Sequence, residues 1–162
     1  DDSQTGVMPM IAQPGRFLLL FMMLALAACG SSPAAPDRSA QSPGAQAAAV
    51  ALDQVGVRYR YGGSGPQGFD CSGLVHYAYA QAGVAVPRTT GQLWAAAEDV
   101  DRSELRPGDI LFFRIEGKMS HVGMYLGERR FVHAPQSGRS VSVASLDAPF
   151  YRSALLRAGR IY

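Results

Sequence analysis

A glycine-rich turn that leads into a cysteine-headed helix is the feature of this sequence that most restricts its fold. Residues 59–63 read Tyr-Arg-Tyr-Gly-Gly, and residues 69–75 read Phe-Asp-Cys-Ser-Gly-Leu-Val. Apolar side chains recur three and four residues apart over residues 72–82, which predicts an amphipathic helix. Gly83 is expected to end that helix. Cys71 is therefore placed in the first helical turn, directly behind a tight loop.

A cysteine in the first turn of a helix has surroundings that favour its thiolate. The unpaired backbone N–H groups and the positive end of the helix dipole lower the pKa of such a thiol from about 8.5. The same N–H groups stabilise an oxyanion during acyl transfer. We therefore expect Cys71 to be a nucleophile with a lowered pKa. The structural alternative is a cysteine that serves as a small buried hydrophobic residue.

Two histidines lie in a predicted β-hairpin downstream of the cysteine. Residues 120–127 and 130–134 have the composition of strands, and the polar residues 127–129 lie between them. If that turn has three residues, the numbers of paired residues add up to 256. His121 then faces residue 135, and His133 lies diagonally from it on the same face of the hairpin.

A thiol, a histidine that takes its proton and a polar group that orients that histidine form the arrangement of a cysteine hydrolase. The sequence favours Cys71 as the nucleophile, His121 as the base and His133 as the orienting group. Zinc is the weaker interpretation, because the chain has three histidines, no further available cysteine and no acidic residue at ligand spacing. His76 is predicted to point away from the catalytic face. No metal and no cofactor are expected.

These motifs resemble those of the NlpC family of bacterial cell-wall peptidases, which are papain-like cysteine enzymes. The similarity extends from about residue 46 to the C-terminus and includes Arg-Pro-Gly-Asp at residues 106–109. It implies hydrolysis of an amide bond in the stem peptides of peptidoglycan through a thioacyl-enzyme. It implies that Cys71, His121 and His133 form the catalytic triad. It also implies an α+β fold with a papain-like core.

The resemblance further implies roles for three residues around the nucleophile. Tyr59 would place its hydroxyl beside Cys71, near the oxyanion. Asp70 would contact a substrate amine or help to shape the pocket, and Ser72 would line that pocket.

The N-terminal part of the sequence has the pattern of a targeting segment. The apolar run 17–28 is too short to cross a bilayer of about 30 Å as a helix, but suits a signal-peptide core. It ends in Leu-Ala-Ala before Cys29, which resembles the lipobox of bacterial lipoproteins. Residues 1–28 are therefore predicted to be a signal peptide, and Cys29 to be lipidated. Gly30 favours the outer membrane, with the protein facing the periplasm. The alternatives are an ordinary secretion signal and a stray apolar stretch.

Other segments complete the predicted domain organisation. Residues 1–15 carry acidic residues unlike the start of a signal peptide and are interpreted as an upstream extension or a misplaced start. Residues 29–45, rich in Ser, Pro, Ala and Gln, are predicted to be the lipidated cysteine and a flexible tether. Residues 46–162 are predicted to be the catalytic domain.

The remaining patterns predict N-terminal helices packed on an antiparallel sheet of five to six strands, an α+β domain. Helices are expected from residue 42 to near residue 56 and from residues 89–90 to residue 97. Strands are expected at residues 109–114, 121–126, 130–134, 140–145 and 154–161. The predicted core residues are Trp94, Leu111, Phe112 and Leu155.

Charge and cysteine content narrow the expected partners. The formal net charge is +2 and the arginines are scattered, so nucleic acid is not a predicted partner. The two cysteines, Cys29 and Cys71, have separate predicted roles, so no disulfide is expected. We expect a monomer that binds peptidoglycan stem peptides and, through a lipid on Cys29, a membrane.

Three classes of function remain open on the sequence. The leading hypothesis is a murein endopeptidase, and a small domain on a lipoprotein tether favours cleavage of crosslinks over cleavage within a stem. The second is a catalytically silent wall-binding lipoprotein, against which the intact triad argues. The third is an amidase or acyltransferase that acts on another substrate.

Overall fold

Residues 42–162 are described by the structure, a computed structural model of the chain. The predicted signal peptide, Cys29 and most of the predicted tether lie outside these residues. The helices are α1 (Pro43–Asp53), α2 (Cys71–Gln81), α3 (Thr90–Ala96) and α4 (Pro149–Ala154). The strands are β1 (Ser64–Gly65), β2 (Gly68–Phe69), β3 (Glu98–Val100), β4 (Ile110–Ile115), β5 (Lys118–Gly127), β6 (Arg130–His133), β7 (Ser142–Ser145) and β8 (Leu155–Arg160). None of the helices in this part of the chain has the length and apolar character needed to span a membrane.

The first helix begins as its sequence predicts. The Ser42 side chain accepts a hydrogen bond from the Ala45 N–H at 3.1 Å, and Pro43 occupies the first helical position. Serine satisfies an otherwise unpaired N–H there, and proline has no N–H that needs a partner. α1 starts at Pro43, so the first three residues of the helix lie within the segment predicted to be a tether.

Six strands form one antiparallel sheet in the order β3-β8-β4-β5-β6-β7. Together with the helices that precede it, this sheet confirms the predicted α+β class and the predicted strand number. The predicted final strand at residues 154–161 is confirmed as β8, but three elements were missed. These are the short β1–β2 hairpin, the edge strand β3 and the helix α4.

The β5–β6 hairpin confirms the predicted register but not the predicted turn. Met124 pairs with Val132 and Tyr125 with Phe131, and both pairs add up to 256. The loop has two residues, Glu128 and Arg129, with φ of 50° and 56°. A two-residue loop with positive φ at both positions matches the twist of paired strands. An irregularity between residues 125 and 127 absorbs the missing loop residue.

Strand β4 is buried on both faces, so its apolar residues do not alternate with polar ones. Ile110 and Phe112 pack in the cluster that includes the buried faces of α1 and α2. Leu111 and Phe113 pack in a second cluster, which includes residues of β8 and α4. Leu111 and Phe112 are core residues as predicted, and Leu155 is 9% exposed. Trp94 is only partly buried, because it lies at the core edge under the Arg157 guanidinium.

The Arg-Pro-Gly-Asp segment joins the sheet to α1. Asp109 is fully buried, and its two carboxylate oxygens accept hydrogen bonds from Nε and Nη2 of Arg160, both at 2.7 Å. Gly108 has φ of 100° and lies so close to Gly44 that a Cβ there would stand 2.3 Å from the Gly44 Cα. The segment thus holds α1, and with it the packed face of α2, in a fixed position on the sheet.

Candidate active site

Asp70 connects the glycine-rich turn to the start of α2. Its Oδ1 accepts a hydrogen bond from the Gly73 N–H at 2.7 Å, which caps the helix, and its Oδ2 accepts one from the Gly62 N–H at 3.0 Å. The next residue, Cys71, is the first residue of the helix, as predicted. The carboxylate therefore fixes the direction in which the chain enters the helix that carries the thiol.

Arg88 holds the same carboxylate from the other side and was not identified in the sequence. Its Nη2 lies 2.7 Å from Oδ2 of Asp70, and its Nη1 lies 2.9 Å from Oδ1. The guanidinium also donates to the Ser72 hydroxyl at 3.0 Å and to the Gly63 carbonyl at 3.2 Å. An arginine that bridges a helix cap and a loop eighteen or more residues away leaves no local sequence signal.

The thiol of Cys71 lies against the start of α3 and the start of the histidine-bearing part of β5. Its Sγ is 3.8 Å from the Thr90 hydroxyl and 3.9 Å from the Ser120 carbonyl. Burial raises the pKa of the Cys71 thiol, while hydrogen bonds from the Val122 N–H and the Thr90 hydroxyl lower it. The net direction is upward, so the expectation of a lowered thiol pKa is wrong for the resting protein. The position at the helix start is visible in the sequence, whereas the burial that raises the thiol pKa depends on the fold.

His121 and His133 form a hydrogen-bonded pair. Nε2 of His121 lies 2.8 Å from Nδ1 of His133, and the two side chains belong to residues that are 4% and 2% exposed. Burial lowers the pKa of His121 to about 3, with the neighbouring His133 as a further cause, and burial lowers the pKa of His133 to about 4. Both imidazoles are therefore neutral at pH 7.

The free nitrogen of His121 is Nδ1, because Nε2 is used by His133. The Cys71 thiol contacts the Ser120 carbonyl, directly before this histidine in the chain. Within residues 42–162, no hydrogen bond joins the thiol directly to the imidazole. Catalytic hydrogen bonds are often long in unliganded enzymes and shorten when substrate binds.

The cysteine cleft is the open space around Cys71, with a volume of about 430 Å³. Tyr59, Asp70 and Ser72, the three residues expected around the nucleophile, all border it. Burial raises the pKa of Tyr59, with the charges of Cys71 and Asp70 as further causes, so this hydroxyl stays protonated and can donate a hydrogen bond. The lining residues are Tyr59, Tyr61, Gly62, Asp70, Cys71, Ser72, Arg88, Thr89, Thr90 and Ser120.

The histidine cavity is a second space of about 260 Å³, which borders His121 and His133 rather than the thiol. Tyr151 of α4 contributes to it, with its hydroxyl 3.5 Å from Nε2 of His133 and its ring perpendicular to the imidazole. This tyrosine was also missed in the sequence, because α4 was not predicted. The lining residues are Ile115, His121, His133, Pro135, Gln136, Arg139, Ser142, Phe150 and Tyr151.

Two further sequence predictions concern residues near this site. Nδ1 of His76 lies 2.8 Å from the Val86 carbonyl, and His76 borders neither the cysteine cleft nor the histidine cavity. Cys71 is a free thiol, and Cys29 lies outside the described residues. In the described part of the chain, no group of three or more His, Cys, Asp or Glu side chains is arranged to hold a metal ion.

The chain is similar in sequence to proteins of one family. The NlpC/P60 family model matches residues 56–160. Murein DD-endopeptidase MepH of Escherichia coli K12 is 39% identical over 116 residues, which cover 68% of this chain and 43% of MepH. The chain thus spans less than half the length of this relative.

The fold of the chain is also similar to solved structures, including one of an NlpC/P60 family protein. A NlpC/P60 family protein from Bacillus cereus superimposes with a TM-score of 0.68 at 31% identity, covering 73% of this chain and 40% of that protein. The peptidoglycan hydrolase RipB of Mycobacterium tuberculosis superimposes with a TM-score of 0.63 at 30% identity, covering 91% of this chain and 78% of RipB.

Proposed function

Because the chain belongs to the NlpC/P60 family, we propose that it is a murein endopeptidase that hydrolyses an amide bond in peptidoglycan stem peptides or their crosslinks. The observation that carries the proposal is the placement of the Cys71 thiol against the Ser120 carbonyl, directly before His121, whose ring is hydrogen-bonded to His133. The proposed nucleophile Cys71, base His121 and orienting group His133 belong to α2, β5 and β6 respectively. Family membership indicates the fold, whereas the reaction is inferred from the residues of the site.

The first chemical step transfers one proton and forms one bond. His121 accepts the thiol proton at Nδ1, and the Cys71 sulfur attacks the carbonyl carbon of the scissile amide. The His121 imidazolium then has hydrogens on both nitrogens and donates from Nε2 to Nδ1 of His133. His133 thereby orients the ring and stabilises its charge, the role of the third member of such triads.

The tetrahedral intermediate places a negative charge on the former carbonyl oxygen. The backbone N–H of Cys71 makes no hydrogen bond within the described part of the chain, and it lies at the positive end of α2. This N–H and the Tyr59 hydroxyl, which borders the same cleft, are our proposed donors to the oxyanion. Asp70 and Ser72 are proposed to shape the cleft, because both are held by Arg88.

The intermediate collapses when the carbon–nitrogen bond breaks. His121 gives its Nδ1 proton to the leaving amine, which departs and leaves a thioacyl-enzyme on Cys71. Water then attacks the thioester with His121 as base, and the carboxylic acid product leaves with the thiol restored. Each proton taken by His121 is returned in the same half-reaction, so no cofactor is needed.

The site of action is proposed from the N-terminal pattern. Residues 1–28 would be removed as a signal peptide, and a lipid on Cys29 would hold the domain at a membrane facing the periplasm. Metabolic labelling with a fatty acid should mark the wild-type chain and not Cys29→Ser. Label on both, or on neither, would contradict the anchor without affecting the hydrolase proposal.

The experiment that tests the proposed activity is digestion of purified peptidoglycan by the full chain, with mass spectrometry of the products. Wild type should release fragments, whereas Cys71→Ala should release none and show an unchanged circular dichroism spectrum. Loss of crosslinked dimers with intact stems would identify cleavage of crosslinks, and stems that end at D-glutamate would identify cleavage within a stem. Equal digestion by wild type and Cys71→Ala would exclude the mechanism. A folded wild type that leaves peptidoglycan unchanged would exclude the substrate.

A further inference from the structure

The proposed reaction assigns the histidine cavity to one side of the substrate. Cys71 bonds to the acyl part of the substrate, so that part occupies the cysteine cleft. His121 gives a proton to the leaving amine, so that amine lies beside the imidazole. The histidine cavity borders His121 and His133 and does not include the thiol. The histidine cavity is therefore the space that we assign to the leaving-group side of the substrate.

Among the described residues that line the histidine cavity, Arg139 is the only one with a formal charge at pH 7. The lining contains no aspartate or glutamate, and the pKa values of its two histidines, about 3 and about 4, leave both imidazoles neutral at pH 7. Among the described residues, the Arg139 guanidinium makes no hydrogen bond and no ion pair. Gln136 and Ser142 add polar groups, while Ile115 and Phe150 add apolar ones.

Backbone hydrogen bonds hold Arg139 against the segment that carries Tyr59, on the Cys71 side of the site. Its carbonyl accepts a hydrogen bond from the Tyr59 N–H at 2.8 Å, and its N–H donates to the Gln136 carbonyl at 3.1 Å. Arg139 also borders a neighbouring cavity of about 280 Å³ that Tyr59 shares. The arginine is thus presented from a short turn after β6 that is fixed against the segment carrying Tyr59.

We propose that Arg139 binds a carboxylate on the amino acid that supplies the leaving amine. An unpaired guanidinium fits a planar carboxylate, which it binds through two parallel hydrogen bonds. This inference rests on the proposed function and names the substrate class more closely. In a crosslink to diaminopimelate, the carbon that bears the leaving nitrogen also bears a carboxylate. In a crosslink to lysine, the corresponding carbon bears only hydrogen.

Arg139 therefore selects crosslinks made to diaminopimelate whose carboxylate is free. Amidation of that carboxylate removes the charge and keeps the size, so it is the sharpest chemical change available. The test uses two crosslinked peptide dimers that differ only in this carboxylate or carboxamide. The kcat/KM of the full chain is measured on both dimers for wild type, Arg139→Gln and Arg152→Gln.

Arg152 is the matched control, because it is an exposed arginine of α4 with no ion pair among the described residues and does not border the histidine cavity. Wild type and Arg152→Gln should cleave the carboxylate dimer about tenfold or more faster than the carboxamide dimer, the effect of one charge-assisted contact. Arg139→Gln should cleave both dimers at the carboxamide rate. Equal wild-type rates on the two dimers, or an equal loss on both in Arg139→Gln, would overturn the inference.

A binding measurement separates this inference from the proposed activity. Calorimetry with Cys71→Ala should show tighter binding of the carboxylate dimer, and adding Arg139→Gln should remove the difference. If wild type cleaves neither dimer but this difference is found, the hydrolase proposal fails and the carboxylate site stands. If Cys71→Ala binds both dimers equally, or binds neither, the carboxylate site is excluded.

Discussion

Nε2 of His121 lies 2.8 Å from Nδ1 of His133, a hydrogen-bond distance between two buried imidazoles. If His121 accepts the thiol proton at Nδ1, as we propose, the hydrogen between the two rings must belong to Nε2 of His121 and point to His133. His133 then carries its own hydrogen on Nε2, which faces the Tyr151 hydroxyl at 3.5 Å. The order of donors and acceptors through the site is thereby determined in the charged state.

Acid should destabilise the fold through this histidine pair. Burial lowers the pKa values of His121 and His133 to about 3 and about 4, whereas histidines of the unfolded chain titrate near 6.5. Below pH 6.5 the unfolded state binds more protons, so stability is present above that pH and is lost as the pH falls toward the folded pKa values. The free energy of unfolding should fall by up to about 1.4 kcal/mol per pH unit for each histidine between pH 6 and pH 4.

Urea unfolding at a series of pH values measures that slope. His133→Gln replaces one titrating ring by a neutral amide and should reduce the slope relative to wild type, and His121→Gln should do the same. Slopes unchanged in both variants would show that the pair does not control acid stability.

Thr90 should lower the pKa of the Cys71 thiol. Its hydroxyl lies 3.8 Å from the Cys71 sulfur, and donation to the thiolate offsets part of the effect of burial. Thr90→Val keeps the shape and removes the donor, so alkylation of Cys71 by iodoacetamide at pH 7 should slow by about three- to tenfold, as for loss of one hydrogen bond. The rate is followed by mass spectrometry of the peptide that contains Cys71, which separates it from Cys29. Thr90→Ser keeps the hydroxyl and should alkylate like wild type. A slow rate in both variants would point to packing instead.

The Asp70–Arg88 ion pair should contribute more to stability than an exposed pair of similar length. The Asp70 and Arg88 side chains are 13% and 31% exposed, whereas those of Asp147 and Arg129 are 58% and 55% exposed. Asp70→Asn keeps a good helix cap and loses the charge, so it should cost about 1–3 kcal/mol, and Asp70→Ala should cost about 1 kcal/mol more. Asp147→Asn should cost under about 0.5 kcal/mol. Urea unfolding measures all three, and equal losses in Asp70→Asn and Asp147→Asn would contradict the prediction.

Replacing each of two glycines in first helical turns by alanine should change the stability of the protein in opposite directions. A Cβ on Gly73 would lie 1.9 Å from the Gly63 carbonyl oxygen, so Gly73→Ala forces the glycine-rich turn away from α2. We expect a loss of about 1–3 kcal/mol in stability, as for other overpacked sites. Gly91 of α3 has no such neighbour within 4 Å, so Gly91→Ala should be neutral or stabilise by up to about 1 kcal/mol. Thermal unfolding of both variants measures the difference, which a stable Gly73→Ala would refute.

Local patterns were sufficient to predict the elements that carry the proposed catalytic side chains. The spacing of apolar residues and Gly83 predicted α2, and the structure places Cys71 at its first position. Strand composition and the count through the turn predicted that His121 and His133 share a face, which their hydrogen bond bears out. The predicted turn was wrong, because the loop has one residue fewer than expected. An irregularity in β5 compensates for that residue and preserves the register.

The partners of those side chains had no local signal. Arg88 reaches Asp70 from eighteen residues away, Thr90 reaches Cys71 from nineteen, and Tyr151 reaches His133 from α4. Each contact depends on how helices and strands pack, and the residue types involved occur equally on surfaces. The edge strand β3 is too short and too polar to show a strand pattern, and pairing with β8 defines it.

The sequence by itself determined the identity and order of the proposed reactive groups, because a capped helix start and the alternation of side chains along a strand are properties of neighbouring residues. Only the tertiary structure decided their protonation and their surroundings. The pKa of Cys71 is raised, not lowered, and those of both histidines are lowered, because packing of α2 against the sheet removes water from all three side chains. The position of Arg139 beside the histidines was decided in the same way, by a turn that pairs with the segment carrying Tyr59. Desolvation and contacts between distant segments depend on the whole fold, which no short stretch of sequence encodes.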